Sequence, residues 1–481
     1  MRTDLSRFSR PSSPSTLRRL LTFSQDGNAP GINGSKLAAS FLRDAAASGN
    51  SVDIVTIGDS NTGYSQGGFG GGGGGWTRGW LRSMNDAGIQ TYSSSMTPVM
   101  NSSGTTIAGE VVREDDGVTV TTLAGFFSNI QAPYTNVLRG SVSGPAAVTT
   151  MVVPATTFIP FGSTGWDYAY IAPSTSAQTF AQPNATYPGG LAPSPSLPTW
   201  CQPGTSVIYR TVYVTSTTAG GSFNSTVYRV TGGSYIPHAT QNQSTFSASG
   251  PQLAVNDLAF TMPVTTPASA LIFGWNYIGF GTGPCQISMD CVYKAVRGCA
   301  VNQLHYGSGQ STSTISGVVT GATAGSRKFL QNYFISIRNR QIAAGGSGRV
   351  IVWINSGINA PVSGAVFVSS ISSMIATLRT EWAATGANVN DLAFVCSATH
   401  PLDTDYGGTT EATLHENRAC LNTFAAGSRD VTAVDLSALI SASQMTSSGY
   451  YAGAGANEAH LSQAGYYELS RRMMANLLAS A

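Results

Sequence analysis

The chain has 481 residues, 42% of them hydrophobic and only 10% charged, with 55 glycines and a formal net charge of +2. This length predicts two or three domains with apolar residues enough for a sizeable core, and the shortage of charge excludes a coiled coil, an acidic disordered tail and a surface of ion-pair networks. Near-neutral charge argues against nucleic acid as a partner, and the absence of any run of about 18 apolar residues argues against a membrane span.

Residues 1–30, rich in Ser, Pro and Arg, with little periodicity and no apolar stretch like that of an export signal, predict an extended arm. KLAASFLRDAAASG predicts a helix stopped by Gly49. Val52 to Ile57 then predicts a short apolar strand turning at Gly58, and Trp76 to Ala87 a helix after a glycine-rich run. Strand, loop and helix open an α/β unit.

Residues 106–295 change character. GVTVTTL, AAVTTMVV, DYAYIA, SVIYRTVYVT, STVYRV and QISMDCVYKAV are short, rich in Val, Thr and Tyr, and separated by turn residues. They predict an all-β, sandwich-like insertion. From 296 the α/β pattern resumes with a helix SRKFLQNYFISIRNRQIAAGG, a strand Arg349 to Ile354, a long helix AVFVSSISSMIATLRTEWAATG and a strand DLAFVCSA. A helix from Glu411 to Phe424, a strand VTAVDL and a final helix capped by Ser462 complete it. The expected architecture is a three-layer α/β/α domain with a parallel sheet, built from 31–105 and 296–481 and interrupted by the insertion. Its functional groups belong in loops beyond the strand carboxyl ends. The six cysteines, with Cys285, Cys291 and Cys299 loosely grouped, lack the CxxC pairs and His spacing of a zinc site, so no metal is expected, and one disulfide is possible.

Four places carry potential chemistry. Ser60, in Gly58-Asp59-Ser60-Asn61-Thr62 directly after the first apolar strand, sits where a nucleophilic hydroxyl is exposed and backbone N–H groups face a developing oxyanion; a helix-capping Ser is the plainer account. Asn359, three residues after a strand in Gly357-Ile358-Asn359, can offer a side-chain N–H to that oxyanion. Gly309, in Gly307-Ser308-Gly309-Gln310, permits close backbone approach to a substrate, with Gly307 as its rival. His460, in Asn457-Glu458-Ala459-His460 before the last helix, has the setting of a general base, whereas His238, His400 and His415 do not.

Their order, Ser, Gly, Asn, His, each at the end of a β element, resembles the SGNH or GDSL hydrolase family. The resemblance covers 31–105 and 296–481 and implies an SGNH-like fold with serine esterase activity, without metal or cofactor. It makes Ser60 the nucleophile, Gly309 and Asn359 the oxyanion donors beside the Ser60 N–H, and His460 the base. The family usually has Asp three residues before the His; here Asn457 stands there, able to accept from the imidazole but not to supply charge. The orienting role falls to Asn457, to Glu458, or to Asp403 or Asp405, or else the chain keeps the fold for binding alone.

Trp166, Tyr168, Trp200, Trp275 and Tyr277 are candidates for stacking on sugar rings, with His305 lining the site; sandwich core is the alternative for each aromatic. On the first account the substrate is an O-acetylated polysaccharide or other glycan. The arm, the low charge and the Ser, Thr and Gly richness resemble a phage or virion component. That implies a virion or extracellular setting, action on a host surface polysaccharide during adsorption, and other virion proteins as partners through the arm. A cytoplasmic or small-ester and lipid esterase, and a non-catalytic glycan-binding adhesin, are the competing readings, and the oligomeric state is open.

Overall fold

The computed structural model describes residues 30–59, 61–62, 75–93, 96–98, 142–143, 148–150, 169–171, 178–180, 200, 203–215, 219, 221–231, 234–249, 252–263, 270–277, 285–305, 311–320, 324–359, 361–452 and 459–480. Before the insertion come β1 (Ile32–Gly34), α1 (Leu37–Ser48), β2 (Val52–Gly58), α2 (Gly75–Asp86) and β3 (Thr97–Pro98). The middle holds β4 (Val142–Ser143), β5 (Val148–Thr150), β6 (Ala169–Ile171), β7 (Gln178–Phe180), β8 (Ser206–Val214), β9 (Ser222–Thr231), β10 (Ser234–Ser244), β11 (Leu253–Thr261), β12 (Ala270–Tyr277) and β13 (Cys285–Tyr293). After it follow β14 (Cys299–His305), α3 (Thr312–Thr320), α4 (Ala324–Ala343), β15 (Arg349–Ser356), α5 (Gly364–Ala384) and β16 (Leu392–Ala398). The last elements are α6 (Glu411–Ala426), β17 (Val431–Val434), α7 (Leu436–Leu439), α8 (Ala442–Ser447) and α9 (Gln463–Ser480).

The central sheet runs β1-β17-β16-β15-β2-β14, parallel except for β1 at its edge. Buried on both faces, β2 and β15 sort their side chains by the two-residue period of a strand. Val55, Ile57, Val350, Val352 and Ile354 share one apolar cluster with residues of α4 and α5. Val52, Ile54, Ile351 and Trp353 share the other with α1, α2 and α9. Three layers result, as expected.

The insertion contains two antiparallel sheets, β10-β9-β12-β7-β4 and β11-β8-β13-β6-β5, with β3 pairing onto β13. They face each other through a 2.8 Å hydrogen bond between the Thr211 and Ser225 hydroxyls and an edge-to-face contact of Tyr213 with Phe223, whose ring centroids are 5.2 Å apart. Pro237 interrupts β10 at a register shift, a position open to proline because β10 is an edge strand.

The insertion also packs into the core of the α/β part. Val212, Met289, Cys291 and Tyr293 lie in one cluster with Tyr333, Phe334 and Ile337 of α4. Beneath them is a fully buried ion pair, Arg340 to Asp53 at 2.5 Å. Asp53 also accepts from the Ala300 N–H at 3.1 Å, and Asn302 accepts from Arg340 at 3.0 Å.

In the α/β part, β1, β3, β14, α3 and the two short helices α7 and α8 were not expected from sequence. Cys291, Cys299, Cys396 and Cys420 are free thiols, which leaves Cys201 and Cys285 as the remaining two cysteines. Among the described residues, no helix is long and apolar enough to cross a membrane.

Candidate active site

The parallel register brings the carboxyl end of β2 between two neighbours, with Gly58 opposite Asn355 of β15 and His305 of β14. Approach at this point is close. A Cβ on Gly58 would stand 2.1 Å from the Asn355 carbonyl oxygen and 2.1 Å from Thr62 Oγ1, so only glycine fits. The chain then turns at once: the Thr62 N–H donates to the Asp59 carbonyl at 3.0 Å, with Asn61 inside the turn.

That turn is fixed from below. The Asn61 carbonyl accepts from the Trp76 N–H at 3.1 Å, at the start of α2. Asn61 Oδ1 accepts from the Tyr466 hydroxyl of α9 at 2.6 Å. Trp76 packs edge-on against both Tyr466 and Trp353, with centroids 5.5 and 5.0 Å apart. The tight turn after β2 thus rests on an aromatic base formed from both ends of the α/β part.

The second loop leaves β15. Gly357 adopts φ 116°, a conformation that a side chain would strain. Ile358 is buried against Leu402, Leu414 and Ala459, while the next residue, Asn359, is half-buried. The contact with Ala459 brings the segment before α9 to the Asn359 loop, and His460 is the next residue. An antiparallel bridge between Tyr451 and Leu461 and a 2.9 Å bond from the Ala452 N–H to the His460 carbonyl hold that segment. Ser462 caps α9 by accepting from the Gly465 N–H at 3.2 Å, as the sequence suggested. Burial lowers the His460 imidazole below its ordinary value, which keeps it in the neutral, proton-accepting form.

Short polar residues tie the remaining strand ends together. Thr312, two residues into the segment after the glycine loop, is bonded at 2.7 Å to Ser356, and Ser397 donates to Asn355 at 2.8 Å. Asp59 is fully buried. Its Oδ1 accepts from the Asn61 N–H at 3.0 Å, and its Oδ2 has no partner among the described residues. Burial pushes this carboxyl up to about 7, against the lowering pull of hydrogen bonding from Asn61 and from the Ile358 backbone.

Of the residues singled out from sequence, Asn359 and His460 are placed in adjoining loops at the carboxyl edge, and His305 ends the neighbouring strand. Ser60, Gly307, Gly309, Asn457, Glu458, Trp166 and Tyr168 lie outside the described residues. Asp403 and Asp405 are exposed, and Asp403 accepts from Thr446 of α8 at 2.8 Å. Trp275 and Tyr277 belong to β12, where Trp275 pairs with Phe180 and Ser225. Trp200 departs from its expected stacking role: at 5% exposure it is core. Sequence reasoning missed Asp59, Asn61 and Tyr466 as parts of the site. It also set aside His400, which is buried past the end of β16, 3.2 Å from the Thr399 hydroxyl and beside the Tyr451 ring. Among the described residues no three His, Cys, Asp or Glu side chains converge as metal ligands.

No family model and no curated protein matches the chain. Among solved structures it is similar to a family two carbohydrate esterase from Clostridium thermocellum in complex with cellohexaose, at 12% identity and a TM-score of 0.22 over 64% of this chain and 93% of that one. It is also similar to a xylan-binding domain from CBM 22, at 15% identity and a TM-score of 0.18 over 35% and 95% of the two chains. Likenesses at these values carry no argument about activity.

Proposed function

We propose that the protein is a serine esterase of the SGNH type. The observation that carries this is the meeting, at one sheet edge, of the end of β2, after which Ser60 follows in sequence, with the Ile358-Asn359 loop that leaves neighbouring β15 and the Ala459-His460 segment. In this mechanism Ser60 Oγ attacks the ester carbonyl while His460 takes its proton, and the Ser60 and Gly309 N–H groups with the Asn359 amide stabilise the oxyanion. His460 then protonates the departing alcohol. Water attacks the acyl-enzyme, giving its proton to His460; the carboxylic acid leaves and the proton returns to Ser60.

The substrate we propose is an O-acetylated glycan, with Trp166, Trp275 and His305 as its contacts and the β insertion beside the site. The setting proposed on composition is a virion or extracellular protein acting on a host surface polysaccharide. Hydrolysis of p-nitrophenyl acetate, lost in Ser60→Ala, supports the esterase. Preference for p-nitrophenyl octanoate favours a lipid esterase, and hydrolysis of neither leaves a glycan-binding protein. Acetylated xylan and cello-oligosaccharides are the first glycans to assay.

A further inference from the structure

The loop from β16 to α6 ends in a hairpin that the proposed mechanism does not use. The Tyr406 N–H donates to the Thr409 carbonyl at 3.0 Å, and the Thr409 N–H returns a bond to the Tyr406 carbonyl at 2.7 Å. Between them stand Gly407 at φ 56° and Gly408 at φ 84°, the positive angles that a tight type I′ connection demands and that glycine adopts without strain. This hairpin lies along the Asn359 loop. The buried Thr409 hydroxyl donates to the Ile358 carbonyl at 3.0 Å, and a Cβ on Gly408 would stand 3.6 Å from Pro361 Cγ, so the hairpin touches the chain on both sides of Asn359. Tyr406 packs against the cluster of Ile358, Leu402, Leu414 and Ala459, the residue before His460, yet it is only half-buried. Part of it covers apolar side chains, and part is open to solvent where the Asn359 and His460 loops meet.

We infer that Tyr406 is a specificity-determining residue: its ring is the platform on which a sugar ring of the substrate stacks beside the oxyanion donor. The inference rests on the esterase reading above and gives its glycan a place to bind. A pyranose presents apolar C–H groups on its face and hydroxyls at its edge. An aromatic ring matches the face, and the exposed carboxylate of Asp405, next in sequence, is an acceptor for the edge. Tyrosine has only two side-chain angles to fix, and the hairpin that carries it is already held by Ile358. Little entropy is lost on binding, so a modest stacking energy appears as affinity. Cover for Ile358 alone does not require an aromatic ring, which separates the binding role from packing.

The test compares kcat/KM for Ser60-dependent hydrolysis of a glycan ester with that of p-nitrophenyl acetate, in the wild-type protein, Tyr406→Phe and Tyr406→Leu. The glycan ester is acetylated xylan or acetylated cello-oligosaccharide, whichever is turned over faster. Leucine keeps apolar cover over Ile358 without an aromatic face; phenylalanine keeps the face and loses the hydroxyl. The ratio of glycan ester to p-nitrophenyl acetate is expected to fall at least about fivefold in Tyr406→Leu, mainly through KM, and to stay within about twofold of wild type in Tyr406→Phe. An unchanged ratio in Tyr406→Leu overturns the inference, because loss of support for the Asn359 loop lowers both substrates alike. A changed preference between p-nitrophenyl acetate and octanoate, with the glycan ratio held, overturns it too and makes Tyr406 a wall of the acyl pocket. Should Tyr406→Leu not fold, nitration of Ser60→Ala by tetranitromethane, read at Tyr406 by mass spectrometry, decides the matter. Acetylated xylo-oligosaccharide is expected to slow nitration at Tyr406, and equal rates with and without it overturn the inference. Absence of Ser60-dependent hydrolysis of any of these esters overturns the esterase reading and this inference together. Hydrolysis of p-nitrophenyl acetate without hydrolysis of either glycan ester overturns this inference alone.

Discussion

The Tyr466 hydroxyl donates to Asn61 Oδ1 at 2.6 Å, joining the last helix to the turn after the first central strand across 405 positions of sequence. Both residues are buried, so the bond fixes the side chain next to the proposed nucleophile rather than decorating a surface. Tyr466→Phe keeps the ring packed on Trp76 but leaves a buried carbonyl oxygen without its donor, at a cost of about 1–3 kcal/mol. Urea denaturation should show that loss together with a several-fold drop in kcat; unchanged values of both would mean that the bond holds nothing in place.

Gly58 has no room for a side chain. The Cβ of Gly58→Ala meets the Asn355 carbonyl, which the sheet cannot move without breaking its register, so a loss of about 3 kcal/mol is expected. A melting temperature within a degree or two of wild type would contradict the close approach.

The Asp53–Arg340 pair is wholly buried. Removing one partner strands a charge, so Arg340→Leu is expected to destabilise by about 3–5 kcal/mol, whereas the double change Asp53→Leu with Arg340→Leu recovers much of that loss. Denaturation of the two single variants and the double variant measures the coupling, and strict additivity would rule it out.

Asp59 affects stability in the opposite sense. Its carboxyl is held at about 7 when folded, against an ordinary 3.8. Between those values the folded chain binds a proton that the unfolded chain has released. The contribution is therefore most favourable below 3.8, falls as pH rises through the window, and is a constant cost above 7. The difference corresponds to a cost of order 4 kcal/mol at pH 8. Asp59→Asn removes the charge and is expected to be more stable than wild type at pH 8, with a smaller gain at pH 5. A loss of stability at pH 8 would mark Asp59 as a structural support instead.

Most of the α/β layering was legible because β2, β15 and β16 are continuous apolar runs and the helices carry long apolar faces. β14 was not, because CAVNQLH interleaves apolar residues with Asn302, a side chain that is buried only because Arg340 and Asp53 surround it. β1 is three residues long and exists through its pairing with β17, some four hundred positions away. Ser60 and Asn359 were legible as residue types shortly after apolar strands, and His460 as a histidine just before the last helix, although two short helices separate it from β17. Asp59 and Tyr466 were not, since what distinguishes them is complete burial and a partner distant in sequence, neither of which leaves a local pattern.

The central claim is that Ser60 is a nucleophile activated at this sheet edge. Its most direct measurement is covalent labelling of the full chain with a fluorophosphonate, followed by mass spectrometry of the modified peptide. One label per chain on Ser60 is expected, absent in Ser60→Ala and formed at least about a hundredfold more slowly in His460→Ala. An unlabelled wild-type protein, or a label on another serine that persists in Ser60→Ala, would contradict it.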